Sequence, residues 1–294
     1  MYGALQSTGK KRGAEHTTFL SSSTMEPTVY VTSSEGWQEA VERLFAAADL
    51  ASRLASVDHV LIKPNLVSTQ PPPVTTPVAL VEALIVVFQE SLSRCRITVG
   101  EGTGAITYDT MHCFKELGYY EMAARHGVEL LDLNTEPLVR KTRENCQQLP
   151  ELYLPALLDE VFLVSVPVLK AHSMAGVTLT MKNMMGCLPP SHYRRGNSWG
   201  KSALHEQLDL AIVDLNRYRT PDLTVLDGSI GMAEAHLWGK RCNPSVGLLA
   251  VSTDPVAIDS YGAGLLGRDW RSIDHIRLAN GVVGNASSLH IIQI

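Results

Sequence analysis

From Thr28 onward, short apolar, β-branched runs alternate with helix-length stretches, and this alternation limits the fold more than any other feature of the chain. Strand-like segments read as Thr28–Thr32, His59–Lys63, Arg96–Val99, Val128–Asn134, Val161–Val166, Leu223–Asp227 and Val246–Ser252. Helix-like segments lie between them: 36–55, 76–92, 109–117, 120–126, 202–218, a stretch opened by Asp254-Pro255, and 272–279. Strands separated by helices at this spacing predict an α/β fold with a mostly parallel sheet flanked by helices, as one large domain or two lobes. The uninterrupted apolar run Val161–Val166 suits the centre of such a sheet, and Pro167 then limits pairing because it has no N–H to donate.

Local signals refine this. Thr76-Pro77 and Asp254-Pro255 each read as an N-cap followed by proline in the first helical turn. Residues 135–158 read as irregular, 178–185 as a short helix and 186–202 as a polar loop. In 202–218, Leu204, Leu208, Ala211, Ile212 and Leu215 fall on one helical face. His205 and Asp209 are then neighbours one turn apart, a pair suited to acid–base work or metal ligation.

Residues 1–24 differ from the rest, with a Lys10-Lys11-Arg12 cluster, many Ser and Thr, and no apolar stretch after the basic residues. They read as a disordered tail rather than a signal peptide, with Met25 as an alternative start. No feature marks a boundary between lobes, so 25–294 reads as a single large α/β domain.

Composition excludes several functions. The 294 residues are 45% hydrophobic, enough for a sizeable core, and carry a net charge of −5. A dedicated nucleic-acid binder would show a basic footprint, so no nucleic-acid partner is expected. No apolar run approaches the length of a membrane span, so no membrane partner is expected. The five cysteines (Cys95, Cys113, Cys146, Cys187 and Cys242) are scattered and include no Cys-x-x-Cys pair. That argues against a disulfide scaffold, a zinc ribbon or an iron–sulfur cluster, and for a reducing cytoplasm. The sequence leaves the oligomeric state open.

Ligands in open α/β sheets bind beyond the carboxyl ends of the strands, and here those ends are polar. They carry Lys63-Pro64-Asn65, Glu101-Gly102-Thr103-Gly104, Asp132 and Asn134, Lys170-Ala171-His172 followed by Lys182-Asn183, Asp227-Gly228, and Asp254. The strongest local signal is His172 ten residues before Lys182, with Gly176 and Gly186 punctuating the loop. A lysine in such a cleft can lose charge by desolvation and act as base or nucleophile, and a histidine suits proton transfer near neutrality. The candidate catalytic residues are His172, Lys182 and His205. The candidate substrate-binding residues are Lys63, Asn65, Glu101, Gly102, Gly104, Lys170, Asn183, Asp227 and Asp254, with the glycine turn supplying backbone donors.

Sharper motifs fail. The run from Gly196 to Gly200-Lys201-Ser202 is one residue short of a Walker A loop and follows no strand. Gly102-Thr103-Gly104 lacks the third glycine of a dinucleotide fingerprint. His-Glu-x-x-His and Gly-x-Ser-x-Gly are absent.

Taken together, Lys63-Pro64-Asn65, Thr75-Thr76-Pro77, Glu101-Gly102-Thr103-Gly104, Val168-Leu169-Lys170-Ala171-His172 and Met181-Lys182-Asn183-Met184-Met185-Gly186 resemble the prokaryotic family called domain of unknown function 362. His205, Asp227-Gly228 and the run Asp254-Pro255-Val256-Ala257-Ile258-Asp259 continue the resemblance, which covers roughly residues 29–280 in the same order. Many relatives carry a ferredoxin-like cysteine cluster at the C-terminus. This chain has none, so the resemblance implies no iron–sulfur cluster here. A shorter segment, His172 to Lys182 with Ala175-Gly176 between, is similar to nickel-pincer lactate racemase. There the histidine takes part in proton or hydride chemistry and the lysine holds the pincer nucleotide. Here Thr180-Met181 stands in place of that enzyme's Gly-Gly-Arg.

Three functions follow. The first is an enzyme binding a small anionic metabolite at the carboxyl rim of the sheet, with Lys/His acid–base chemistry. The second is a metal- or cofactor-dependent redox or racemase-like enzyme, with His172, His192, His205 and Asp209 as candidate ligands. Its histidine spacings of 20 and 13 match no zinc signature, so no metal site is assigned. The third is a non-catalytic ligand-binding or regulatory protein presenting the same cleft. The identity of any cofactor is open.

Overall fold

The computed structural model describes residues 26–294, so the expectations for 1–24 and Met25 lie outside the described residues. In chain order the elements are β1 (Thr28–Ser33), α1 (Trp37–Ala47), α2 (Leu50–Arg53), β2 (His59–Pro64), α3 (Val78–Ser91), β3 (Arg96–Glu101), α4 (Thr110–Glu116), α5 (Tyr119–His126) and β4 (Glu129–Asp132). Then come β5 (Leu138–Thr142), β6 (Glu151–Pro155), β7 (Phe162–Val166), β8 (Val168–His172), β9 (Gly176–Thr178), α6 (Thr180–Asn183) and α7 (Pro190–Tyr193). The chain ends with α8 (Leu208–Tyr218), β10 (Leu223–Met232), β11 (Leu248–Ser252), α9 (Pro255–Leu265), α10 (Asp274–Ala279) and β12 (His290–Gln293).

Among the described residues, ten strands form one mixed sheet in the order β12-β1-β11-β10-β7-β2-β3-β4, with β8 beside β10 and β9 beside β8. Most pairs are parallel; β11 runs antiparallel to both β1 and β10. Side chains alternate across a strand, so each strand feeds two cores. Val60, Ile62, Phe162, Val164, Leu223 and Val225 pack under α1, α3, α4 and α5 on one face. Leu61, Leu163, Leu226 and Ala250 pack with α6, α8, α9 and α10 on the other. This is the expected α/β architecture, with helices on both faces.

Several expectations need correction. The helix expected over 36–55 is broken at Asp49, which adopts a left-handed conformation at φ 50. Thr76 does not cap α3: Pro77 occupies the N-cap position without a side-chain bond. The Thr76 hydroxyl instead accepts from Asn65 N (2.8 Å) and donates to Val166 O (2.7 Å), tying the ends of β2 and β7 together. The stretch read as irregular contains the β5–β6 hairpin. Pro167 interrupts pairing with β2 but does not end the sheet, because its carbonyl accepts from Asp227 N (2.9 Å) and β8 continues beside β10. The expected amphipathic helix over 202–218 is a 3₁₀ turn, Ser202–His205, followed by α8, which starts only at Leu208. Asp254 does cap α9, accepting from Val256 N and Ala257 N at 2.9 Å each.

Candidate functional site

Parallel strands β2, β3 and β8 end at the same rim, and α6 packs beside it against β7 and β9. Between them lies a cleft of roughly 700 Å³. Of the expected residues, Asn65, Glu101, Gly102, Gly104, Lys170, His172, Lys182, Asn183 and His205 line it. Lys63 and Asp227 are buried behind the lining. Asp254 is elsewhere: β11 is antiparallel to β10, with Ser252 paired to Thr224 at the start of β10, so its carboxyl end points away from the rim.

The floor rests on a buried ion pair. Lys63 Nζ donates to Glu101 Oε2 (2.8 Å) and to Asn183 Oδ1 (3.2 Å). Glu101 also accepts from Leu66 N (3.2 Å) and Gly102 N (2.7 Å). Asn183 donates to Ser165 Oγ (3.0 Å). A charge buried this completely persists only when paired and hydrogen-bonded, so these contacts belong to the scaffold. Thr103 N is likewise occupied by Thr110 Oγ1 at 3.1 Å. With Gly102 N on Glu101, the first two amides of the glycine turn are already used, contrary to their expected role as open anion donors. Asp132 and Asn134 brace this turn through Thr110 Oγ1 (2.7 Å) and Thr103 O (2.9 Å).

Gly102 and Gly186 pass close together above the pair. A Cβ on Gly186 would collide with Glu101 Oε1 and lie 2.5 Å from Lys63 Nζ. Lys201 staples the two segments, donating to Gly102 O (2.6 Å) and Gly186 O (2.7 Å). Lys201 was not among the expected site residues, although it sits in the Walker-like run. Lys170 Nζ donates to Asn65 Oδ1 (2.7 Å) and Val74 O (2.6 Å). Burial pushes Lys170 and Lys201 down to about 7 each.

Lys182 differs from these lysines. It lines the cleft, and among the described residues its ammonium has no hydrogen-bond or ion-pair partner. Burial lowers its pKa to about 8, opposed by the charge of Asp209. The helix that carries it is held at its N-terminus by Asp259 of α9, which accepts from Thr180 N (2.8 Å) and Met181 N (3.0 Å).

Three imidazoles share the cleft. His172 Nδ1 accepts from Met174 N (3.1 Å) and Ala175 N (3.2 Å), so its proton sits on Nε2. Burial, then the charge of Lys182, pushes its pKa down to about 2, so the ring is a neutral donor. His205 is the reverse: Nδ1 donates to Lys201 O (3.1 Å), leaving Nε2 as an acceptor. Burial lowers its pKa too. His236, missed in the sequence, stacks on His172 with centroids 4.2 Å apart, and its buried Nδ1 has no hydrogen-bond partner among the described residues. It lies beyond β10, which runs five residues further than expected, to Met232.

The expected His205–Asp209 pair does not form. The chain leaves helical geometry at Gln207, and Asp209 instead pairs with buried His275 at 2.8 Å. His192 stacks on Tyr153 (4.1 Å), outside the cleft lining. Among the described residues, no three His, Cys, Asp or Glu side chains are grouped to hold a metal ion. The ligand set considered from sequence is therefore not assembled.

Comparisons with known proteins agree with the motifs. The family model described as Domain of unknown function (DUF362) matches residues 60–264. A thylakoid-associated protein of Synechocystis sp. is 32% identical over 108 residues, which make up 35% of this chain and 31% of that protein. The match thus spans about a third of the curated relative's length. No helix among the described residues is long and apolar enough to cross a membrane.

Proposed function

The chain belongs to the domain of unknown function 362 family, and we propose that it is an enzyme binding a small anionic metabolite in this cleft and moving a proton on it. One observation carries this reading: Lys63, Lys170 and Lys201 are each tied to acceptors, whereas the Lys182 ammonium faces the same cleft without one. A carboxylate or phosphate oxygen would complete it, and a charge-assisted bond in a desolvated cleft is among the stronger polar contacts.

The imidazoles supply the chemistry. His205 Nε2 is an open acceptor and serves as the base. His172 Nε2–H is an open donor held neutral, suited to polarising a carbonyl or stabilising developing negative charge. These opposite tautomers favour catalysis over passive binding. A binding protein would use the same lysine without needing one acceptor and one donor. The five free cysteines support a reducing compartment, which we take to be the cytoplasm.

The test is a thermal-shift screen of small carboxylates and phosphates on the full chain and on Lys182→Met. Stabilisation by at least one anion that disappears in the variant is expected. Equal stabilisation of both proteins by the same anion would contradict the assignment.

A further inference from the structure

The cleft has a lysine- and histidine-lined floor but an apolar mouth. Eight large apolar side chains are exposed among the described residues, and four of them ring this opening: Ile106 (55% exposed), Met174 (58%), Trp199 (47%) and Trp238 (76%). They come from four separate stretches: the turn after β3, the β8–β9 turn, the segment between α7 and α8, and the segment after β10. Single exposed apolar residues need no explanation. Four segments placing theirs around one concave opening do.

The mouth is also continuous with the reactive floor. Trp199 packs edge-on against His205, with centroids 5.3 Å apart at 86°, and the Trp238 ring lies 6.1 Å from that of His236. A ligand whose charged end reaches Lys182 therefore leaves its other end among indoles. The volume of roughly 700 Å³ suits a ligand of drug size rather than a two- or three-carbon acid.

We propose that the anion taken by this cleft is amphipathic: an acidic head at Lys182 and a flat, ring-sized apolar body held by Trp199, Trp238, Ile106 and Met174. This rests on the anion-binding reading above and adds the substrate class. The side chains surround a concavity rather than forming a flat patch, which favours a small molecule over a protein surface.

Calorimetric titration of the full chain with acetate, benzoate, 2-naphthoate and neutral 2-naphthamide tests it. Affinity should rise about tenfold or more from acetate to 2-naphthoate as apolar area is buried. The double variant Trp199→Ser/Trp238→Ser should lose most of that gain, so that its affinities for acetate and 2-naphthoate converge. Both indoles are exposed, so the variant should keep the wild-type circular dichroism. Equal affinity for acetate and 2-naphthoate, no binding of either aromatic acid, or wild-type binding of 2-naphthoate by the double variant would overturn the apolar body and leave the anion site standing. If 2-naphthamide binds as tightly as 2-naphthoate and Lys182→Met changes neither, the anion reading itself fails, and this proposal falls with it.

Discussion

Asp259, at the middle of α9, accepts the N–H of Thr180, the first residue of the helix that carries Lys182, at 2.8 Å. Its second oxygen accepts Met181 N at 3.0 Å. Asp254 caps α9 itself, so the run Asp254-Pro255-Val256-Ala257-Ile258-Asp259 acts on the cleft from behind, through backbone. Asp259→Ala strands two buried N–H groups, and leaving such donors unmade costs about 1–3 kcal/mol each. Chemical denaturation should show a loss in that range or above, accompanied by weaker anion binding.

The same carboxyl group predicts a pH effect. Burial outweighs the two backbone hydrogen bonds it accepts and pushes Asp259 up to about 7, above the ordinary unfolded value of about 3.9. A raised folded pKa gives stability that is full below the unfolded value and is lost as pH rises through the folded one. Asp259→Asn keeps an accepting oxygen without the charge. Relative to Asp259→Asn, the wild type should therefore be more stable near pH 4 than near pH 8. Denaturation curves across that range that run parallel for the two proteins would show that Asp259 does not titrate this way.

The Lys63–Glu101 pair should carry a large penalty when broken. Both side chains are buried, at 0% and 3% exposure, and removing one member of a buried pair costs about 3–5 kcal/mol. Lys63→Met should lose stability on that scale. Gly186→Ala should be similarly damaging, because its Cβ falls on the same pair. Wild-type melting temperatures for both would contradict the scaffold role given to this pair.

The two histidines should separate by role. His205→Gln replaces the basic ring nitrogen with an amide that cannot take up a proton, and should abolish turnover of an identified substrate while the anion still binds. His172→Phe removes the Nε2–H donor and should lower turnover while leaving the pH dependence of the base in place. Turnover by His205→Gln at the wild-type rate would remove His205 as the base.

Strands with uninterrupted apolar runs were legible in sequence because burial on both faces leaves no polar position, and Lys170 and His172 of β8 and Lys182 and Asn183 of α6 do line one cleft. What sequence could not give was direction. Asp254 ends a strand as Asp227 lies on one, but β11 runs the opposite way, and only pairing reveals that. The His205–Asp209 pair failed because the 3.6-residue periodicity of Leu204, Leu208 and Leu215 survives a break at Gln207 that apolar spacing does not register. Lys201 and His236 lie in polar loops, where no periodicity points to the cleft. Lys201 carried a signal only as a defective phosphate-loop motif.

The most direct test is the affinity of the best-binding anion as a function of pH, in wild type and in Lys182→Arg. Lys182 sits at about 8 through burial, so binding by its ammonium should hold below that pH and weaken above it, approaching about tenfold per pH unit. In Lys182→Arg, which keeps its charge throughout, that decline should disappear. A decline identical in the two proteins, or none in the wild type, would contradict Lys182 as the group that holds the anion.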